Sequence, residues 1–190
     1  MSTTPCLNIL GFVEGTMERM FFNTNFRHVR VIPVPNGKAV PVSRICNHIY
    51  TTYKSTKSNP DHVFVWIDRE GRNQNSEEIS AEIRETLMRA GAKADGLFVG
   101  VADRMTENWF LADQYLMESM FGKYSGYVYE GKNGKHEIKE LFRSQGINYK
   151  ESLHGVDLMK KMRFARASEN SESAKSFSSG FSSDCWWMST

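Results

Sequence analysis

The stretch HVFVWIDREG occupies residues 62–71 and contains the clearest strand signal in the chain. Residues 62–67 are almost entirely apolar and rich in aromatic and β-branched side chains, which favour strands. A strand without polar alternation is typical of a parallel sheet that helices cover on both faces. The stretch therefore predicts such a sheet, and it places two carboxylates, Asp68 and Glu70, directly after a buried strand.

Strand-like and helix-like segments alternate through most of the chain. The other strands are predicted at residues 7–13, 28–35 and 97–102, and the helices at residues 16–26, 42–55, 76–90 and 106–120. This β-α alternation predicts an α/β fold with a Rossmann-like, mostly parallel sheet of about four strands and helices on both faces. In such folds, ligands bind beyond the carboxyl ends of the strands.

Several residues mark where the predicted helices begin and end. Asn75 or Ser76 is expected to cap the third helix, and Gly91 is expected to end it. Thr106 is the expected N-cap of the fourth helix, in which residues 109–111 (WFL) are predicted to pack in the core. These signals place the polar residues that follow each strand near the start of a helix.

Composition divides the chain into three parts. Residues 1–125 hold the predicted α/β core, and residues 126–166 form a helical, locally basic extension with a short helix at 135–144. Residues 167–190 are rich in serine but also carry phenylalanine and tryptophan. We expect this tail to be partly docked and partly flexible, because serine favours disorder and aromatic side chains favour docking.

The overall composition excludes several classes of protein. The chain has 190 residues, a formal net charge of +2 and three cysteines without a CxxC pair. This argues against a disulfide framework and a zinc knuckle and favours a reducing compartment. The sequence contains no long apolar run and no signal-peptide pattern at its start, so we expect a cytoplasmic protein that does not contact a membrane.

Five acidic residues follow the predicted strands or open the helices after them: Glu14, Glu18, Asp68, Glu70 and Glu107. Neighbouring parallel strands would bring Glu14 and Asp68 together, and residues two apart in an extended segment, such as Asp68 and Glu70, would face one site. Clustered carboxylates repel one another, so either their pKa values rise or a divalent cation neutralises them. The alternative for each acid alone is a solvated residue or a helix cap.

The cation that suits this pattern is magnesium or manganese, because both prefer oxygen ligands. Such ions stabilise the attacking and leaving oxygens when a phosphodiester is cleaved. The residues alone also leave open a phosphohydrolase that acts on small substrates. They show no phosphate-binding loop of the GxxxxGK[ST] type near Gly11 and Gly15.

Four motifs in order, VEGTMERMFF, IDREG, ENWFLAD and SFSSGF, resemble those of the Toprim domain. This domain occurs in topoisomerases, primases and nucleases of the overcoming-lysogenisation-defect type. The match is closer to the small standalone Toprim-like proteins of bacteria and phages, and it runs over most of the chain. Two features depart from the pattern: Glu70 stands where aspartate is usual, and Met17 is an extra residue before Glu18.

The resemblance implies a Toprim-type sheet and a nuclease that needs one or two Mg²⁺ or Mn²⁺ ions. It implies that Glu14 is a general acid or base or a metal ligand, and that Asp68 contributes to catalysis. The implied metal ligands are Glu14, Glu18, Asp68, Glu70 and Glu107, and Asp113 matches the last position of ENWFLAD. A lysine near the scissile phosphate is also implied, with Lys150 as the first candidate and Lys135 and Lys160 as rivals.

The predicted partner is nucleic acid, either DNA or RNA. A local basic stretch would contact its backbone by charge, through Lys150, Lys160, Lys161, Arg163 and Arg166, with His154 beside it. The resemblance also implies a role as the effector of a phage-defence system that works with a separate ATPase, and a homo-oligomer is left open. The alternative within the same family is a non-catalytic binding or regulatory subunit.

Overall fold

The computed structural model describes residues 8–26, 29–37, 40–56, 59–124, 126 and 130–179. Within these residues, four strands form one sheet in the order β2-β1-β3-β4, and every neighbouring pair is parallel. The strands are β1 (Ile9–Val13), β2 (Val29–Pro33), β3 (His62–Asp68) and β4 (Leu97–Ala102). This arrangement confirms the predicted Rossmann-like α/β fold and its helical C-terminal part.

Helices connect and follow the strands. The first three are α1 (Thr16–Asn25), α2 (Val42–Ser55) and α3 (Ser76–Ala90), and a 3₁₀ turn (Ala94–Gly96) leads into β4. After β4 come α4 (Glu107–Ala112), α5 (Gln114–Phe121), α6 (Gly134–Ser144), a π-helical turn (Glu151–Gly155), α7 (Val156–Lys161), α8 (Phe164–Ala167) and α9 (Glu172–Ser178).

Alternating side chains of the strands feed two separate cores, one on each face of the sheet. Leu10, Phe12 and Val65 pack on one face with α2 and α3. On the opposite face, Trp66 packs with α1 and with the helices that follow β4. Because both faces are covered, the carboxyl edge of the sheet is the place where its polar residues meet solvent and one another.

The caps of α3 agree with the sequence prediction. Asn75 and Glu78 form a reciprocal capping box, in which each side chain accepts a hydrogen bond from the backbone N–H of the other residue. Gly91 ends the helix with a φ of 103°, a left-handed conformation that glycine adopts without steric cost.

The single helix predicted at residues 106–120 is wrong, because the chain breaks at Asp113 into α4 and α5. The Asp113 carboxylate, which is fully buried, accepts the Leu116 N–H and caps α5. The same carboxylate forms a bidentate ion pair with Arg166, in which both N–O distances are 2.7 Å. Asp113 therefore joins α5 to the C-terminal helices, which gives it a structural role in the fold.

The serine-rich segment contributes a helix to the core. In α9 the Phe177 ring stacks on Trp109, with 5.4 Å between ring centroids, and covers Gly100 of β4. A Cβ atom at Gly100 would lie 2.5 Å from the Phe177 ring, so the glycine makes room for it. The remainder of the predicted tail, residues 180–190, lies outside the described residues.

In the part of the chain that the structure describes, no helix is both long enough and apolar enough to span a membrane.

Candidate functional site: a buried acid cluster

The candidate site lies at the carboxyl edge of the two central strands. The chain leaves β1 towards β2 on one side and leaves β3 towards β4 on the other, so the connections that follow these two strands diverge at this edge. Glu14 follows β1 and Asp68 ends β3. The two residues touch, since the backbone N–H of Asp68 donates to Glu14 Oε2 at 3.2 Å.

Arg72 is the principal partner of Glu14. Its guanidinium donates to Glu14 Oε1 at 2.7 Å, and both side chains are only 5% exposed. The same guanidinium also donates to the carbonyl oxygens of Val40 and Asp68. Burial raises the pKa of Glu14, and Arg72 opposes that shift. Arg72 therefore fixes the orientation of Glu14 and partly neutralises it.

Glu18 lies in the first turn of α1 and is 4% exposed. Burial raises its pKa to about 7, against hydrogen bonds from its own backbone N–H and from Thr106. Its carboxylate folds back over Gly15, where a Cβ atom would lie 1.8 Å from Glu18 Oε2. The glycine after Glu14 is thus needed to seat the second carboxylate.

Asp68 is held by Thr106, the residue that precedes α4. The backbone N–H and the hydroxyl of Thr106 donate to Asp68 Oδ1 at 2.8 and 3.0 Å. Burial and the charges of Glu18 and Glu107 raise the pKa of Asp68 well above its ordinary value. Thr106 is the N-cap residue of α4, as predicted, but its hydroxyl donates to Asp68 and makes no capping hydrogen bond to the helix.

Glu107, the first residue of α4, completes the group of four carboxyls that we call the acid cluster: Glu14, Glu18, Asp68 and Glu107. The Tyr149 hydroxyl donates to Glu107 Oε1 at 3.3 Å. Burial raises the pKa of Glu107, and the positive charge of Lys135 opposes that shift. All four members of the acid cluster thus have raised pKa values.

Lys135 is the cation beside Glu107 and Asp68. Its Nζ forms an ion pair with Glu151 Oε1 at 2.5 Å. Burial lowers the pKa of Lys135, but Glu151 and the nearby charges of Glu107 and Asp68 outweigh burial, so the pKa is raised. Lys135 therefore remains protonated and supplies a fixed positive charge next to the acid cluster.

Glu70 takes a different position from the one predicted by the two-residue spacing. Strand β3 ends at Asp68, and Glu70 has a φ of 52°, so the two residues do not continue one extended segment. The charge of Glu70 still contributes to raising the pKa of Glu14, after burial. Its Oε2 atom is buried and has no hydrogen-bond partner among the described residues.

The ligand atoms of the acid cluster suit a divalent cation, but their present arrangement does not form a coordination site. Its donors are all carboxylate oxygens, which magnesium and manganese prefer, and the Oε2 atom of Glu70 adds a buried oxygen nearby. Among the residues that the structure describes, no three or more His, Cys, Asp and Glu side chains are grouped as a metal site. Carboxylate side chains would have to move to coordinate an ion together.

The basic residues predicted to bind nucleic acid have varied environments. Lys150 and Lys160 are exposed, and the backbone N–H of Lys150 donates to His154 Nδ1 at 2.9 Å. Lys161 pairs with Asp157 at 2.7 Å, and Arg163 donates to the carbonyl oxygens of Lys160 and Met162. Arg166 is paired with buried Asp113, so this arginine is already bound within the protein.

Sequence reasoning missed Arg72 and Tyr149 and ranked Lys135 below Lys150. Arg72 stands only four residues after Asp68, so its position near the strand end was a usable signal. Tyr149 and Lys135 carry no such signal, because they reach the acid cluster from segments that follow the parallel sheet.

Comparisons with protein families, with curated proteins and with solved structures find no match for this chain. The likeness to the Toprim domain therefore stays an interpretation of four sequence motifs, and the functional proposal rests on the geometry of the acid cluster.

Proposed function

We propose that the protein is a metal-dependent nuclease of the Toprim type, which hydrolyses phosphodiester bonds at the acid cluster. One observation carries the proposal: four carboxyls from β1, α1, β3 and α4 converge at the carboxyl edge of the sheet, and all have raised pKa values. A protein core tolerates such repulsion and desolvation mainly at functional sites.

The proposed metal ligands are Glu18, Asp68 and Glu107, with Glu14 held beside them by Arg72. A bound Mg²⁺ or Mn²⁺ would stabilise the negative charge that develops on the phosphate oxygens. Thr106 orients Asp68, while Lys135 places a positive charge beside the cluster. A carboxyl with a pKa of about 7, as in Glu18, can take up or release a proton at neutral pH.

A cleavage assay tests the proposal directly. The purified protein is incubated with plasmid DNA, single-stranded DNA and tRNA in Mg²⁺, Mn²⁺ or EDTA. We expect metal-dependent cleavage of at least one substrate, and we expect Asp68→Asn and Glu14→Gln to abolish it. Glu85→Gln is the matched control, because Glu85 is an exposed acid of α3 away from the acid cluster. Cleavage that persists in EDTA or in both variants would contradict the proposal.

The assay is repeated with material co-purified from cells, because the sequence resemblance implies a separate ATPase partner. Cleavage that needs the co-purified partner would support a role as an effector, such as one in phage defence. Cleavage by the chain alone would leave the nuclease proposal intact without the partner.

The Arg72–Glu14 ion pair favours a second candidate, a non-catalytic Toprim-like binding subunit. An arginine that neutralises Glu14 supplies part of the positive charge that a metal would otherwise provide. Nucleic-acid binding without cleavage under every metal and partner condition would support this candidate.

A further inference from the structure

Helix α6 carries a row of basic side chains that begins next to the acid cluster. Lys135, Lys139 and Arg143 are spaced four residues apart, so they lie on neighbouring turns of one helix face. Eight residues of α-helix rise about 12 Å. Lys135 is beside Glu107 and Asp68, whereas Lys139 and Arg143 are exposed towards the other end of the helix. We call these three residues the α6 basic row.

A cleft of about 490 Å³ lies along the outer part of this row. It is lined by Lys139, Arg143 and the segment from Gly146 to Tyr149. Tyr149 also reaches the acid cluster, since its hydroxyl donates to Glu107 Oε1 at 3.3 Å. Tyr149 therefore lines the cleft and also contacts the acid cluster, so the two features are adjacent.

The charges near the cleft leave its cations accessible to an anion. Arg143 pairs with Glu140 one turn away, but both side chains are at least 40% exposed. Exposed ion pairs of this kind contribute little to stability, so a phosphate can replace Glu140 at little cost. The row is anchored from beneath, because Ile138 and Phe142 on the same helix are buried.

We propose that the α6 basic row and its cleft bind the sugar-phosphate backbone of a nucleic acid and lead it to the acid cluster. This inference rests on the proposed nuclease function and names the path of its substrate. Lysine and arginine contact phosphates without reading bases, and the Asn148 side chain in the cleft can donate to a phosphate or sugar oxygen. The path differs from the stretch 150–166, where Arg166 is bound to Asp113.

Binding is tested in EDTA, so that affinity is measured without cleavage. Fluorescence anisotropy follows the protein with short labelled single-stranded DNA, single-stranded RNA and duplex DNA, between about 50 and 200 mM salt. The double variant Lys139→Ala/Arg143→Ala should bind at least about tenfold more weakly at the lower salt concentration. For single strands, the plot of log K against log salt has a negative slope, and its magnitude should decrease by about 1.4 in this variant, because each lost phosphate contact contributes about 0.7.

Two further double variants control this experiment. Lys54→Ala/Lys93→Ala removes the same charge from exposed positions that precede β3 and β4, at the opposite edge of the sheet, and should leave affinity and slope unchanged. Lys160→Ala/Lys161→Ala tests the stretch predicted from the sequence. All substituted side chains are exposed, and circular dichroism checks that each variant folds.

The inference is overturned if the α6 variant binds like the wild type, if the wild type binds none of the probes, or if only the Lys160/Lys161 variant loses affinity. Its failure is separable from failure of the nuclease proposal. Metal-dependent cleavage with unchanged binding of the α6 variant would refute the path and keep the nuclease. Loss of binding in the α6 variant, with no cleavage by the wild type either alone or with its co-purified partner, would support the path and refute the nuclease.

Discussion

Replacing Glu18 by glutamine should stabilise the metal-free protein at alkaline pH. Glu18 is buried in the acid cluster, and burial is the main reason why its pKa is raised from 4.5 to about 7. Glutamine has nearly the same shape and can still accept the hydrogen bonds of Thr106 and of the backbone, but it carries no charge. The substitution Glu18→Gln therefore removes a buried charge while keeping the packing.

The magnitude follows from the linkage between protonation and folding. The folded state holds the Glu18 proton more tightly than the unfolded state, so the resulting stabilisation is complete below pH about 4.5 and is lost as the pH rises through about 7. Each pKa unit corresponds to about 1.4 kcal/mol, which gives a loss of about 3 kcal/mol for this residue. The Glu18→Gln variant does not suffer this loss.

Urea unfolding in EDTA at acidic and alkaline pH measures the effect. We expect the wild type and Glu18→Gln to have similar free energies of unfolding near pH 4.5, and the variant to be more stable by about 3 kcal/mol near pH 8. For a chain of this size, that difference raises the midpoint of thermal unfolding by roughly 6–12 °C. The exposed-acid control Glu85→Gln should follow the wild type at both pH values.

A Glu18→Gln variant that is equally stable or less stable than the wild type at alkaline pH would refute this reasoning. Such a result would mean that the Glu18 charge is already compensated in the folded protein. Adding Mg²⁺ provides a second check, since an ion bound at the acid cluster should stabilise the wild type at alkaline pH more than the variant.

Two further substitutions test the buried ion pairs. Arg72→Ala should lower the free energy of unfolding by about 3–5 kcal/mol, because it leaves the Glu14 carboxylate buried without its ion-pair partner. Adding Glu14→Gln to this variant should recover part of the lost stability. Strictly additive effects of the two substitutions in a double-mutant cycle would contradict the pairing. Asp113→Ala should lower the free energy of urea unfolding by about 2–3 kcal/mol, because it removes the cap of α5 and the buried carboxylate that binds Arg166. An unchanged free energy would show that this contact does not hold α5 to the C-terminal helices.

The fold was largely predictable because its signals are local. Apolar runs marked β3 and β4, and the boundaries of α2, α3 and β4 follow directly from caps and periodicity. The break between α4 and α5 was missed although Asp113 is a typical N-cap residue, and the contact of Asp113 with Arg166, 53 residues away, gave no local signal. Long-range ion pairs leave no periodic trace in a sequence.

The candidate site was predictable only in part, for a similar reason. Four acids could be assigned to one edge of the sheet from the strand order expected of parallel folds. Their partners could not, since Arg72 reaches back across the loop after β3, and Lys135 and Tyr149 arrive from segments beyond the sheet. The predicted position of Glu70 beside Asp68 was wrong, because β3 ends at Asp68 and the prediction required an extended chain as far as Glu70.

The acid cluster has too few hydrogen-bond donors and positive charges to stabilise all four carboxyls in their ionised form. Arg72 serves Glu14, and Lys135 divides its charge between Glu107 and Glu151. Asp68 accepts the Thr106 backbone N–H and Glu18 accepts its own backbone N–H, and beyond these they share the single hydroxyl proton of Thr106, whose oxygen accepts the Trp66 indole N–H at 2.9 Å.

A hydroxyl can donate only one hydrogen bond, so Thr106 can satisfy Asp68 or Glu18 through its hydroxyl but not both. Burial and the repulsion of neighbouring carboxylates raise the pKa values of both Glu18 and Asp68, and one hydroxyl donor cannot offset this deficit of positive charge for both. A proton fills this deficit in acid, and a divalent ion can fill it at neutral pH. The burial and mutual repulsion of these carboxyls thus link the pH dependence of stability to the proposed metal requirement.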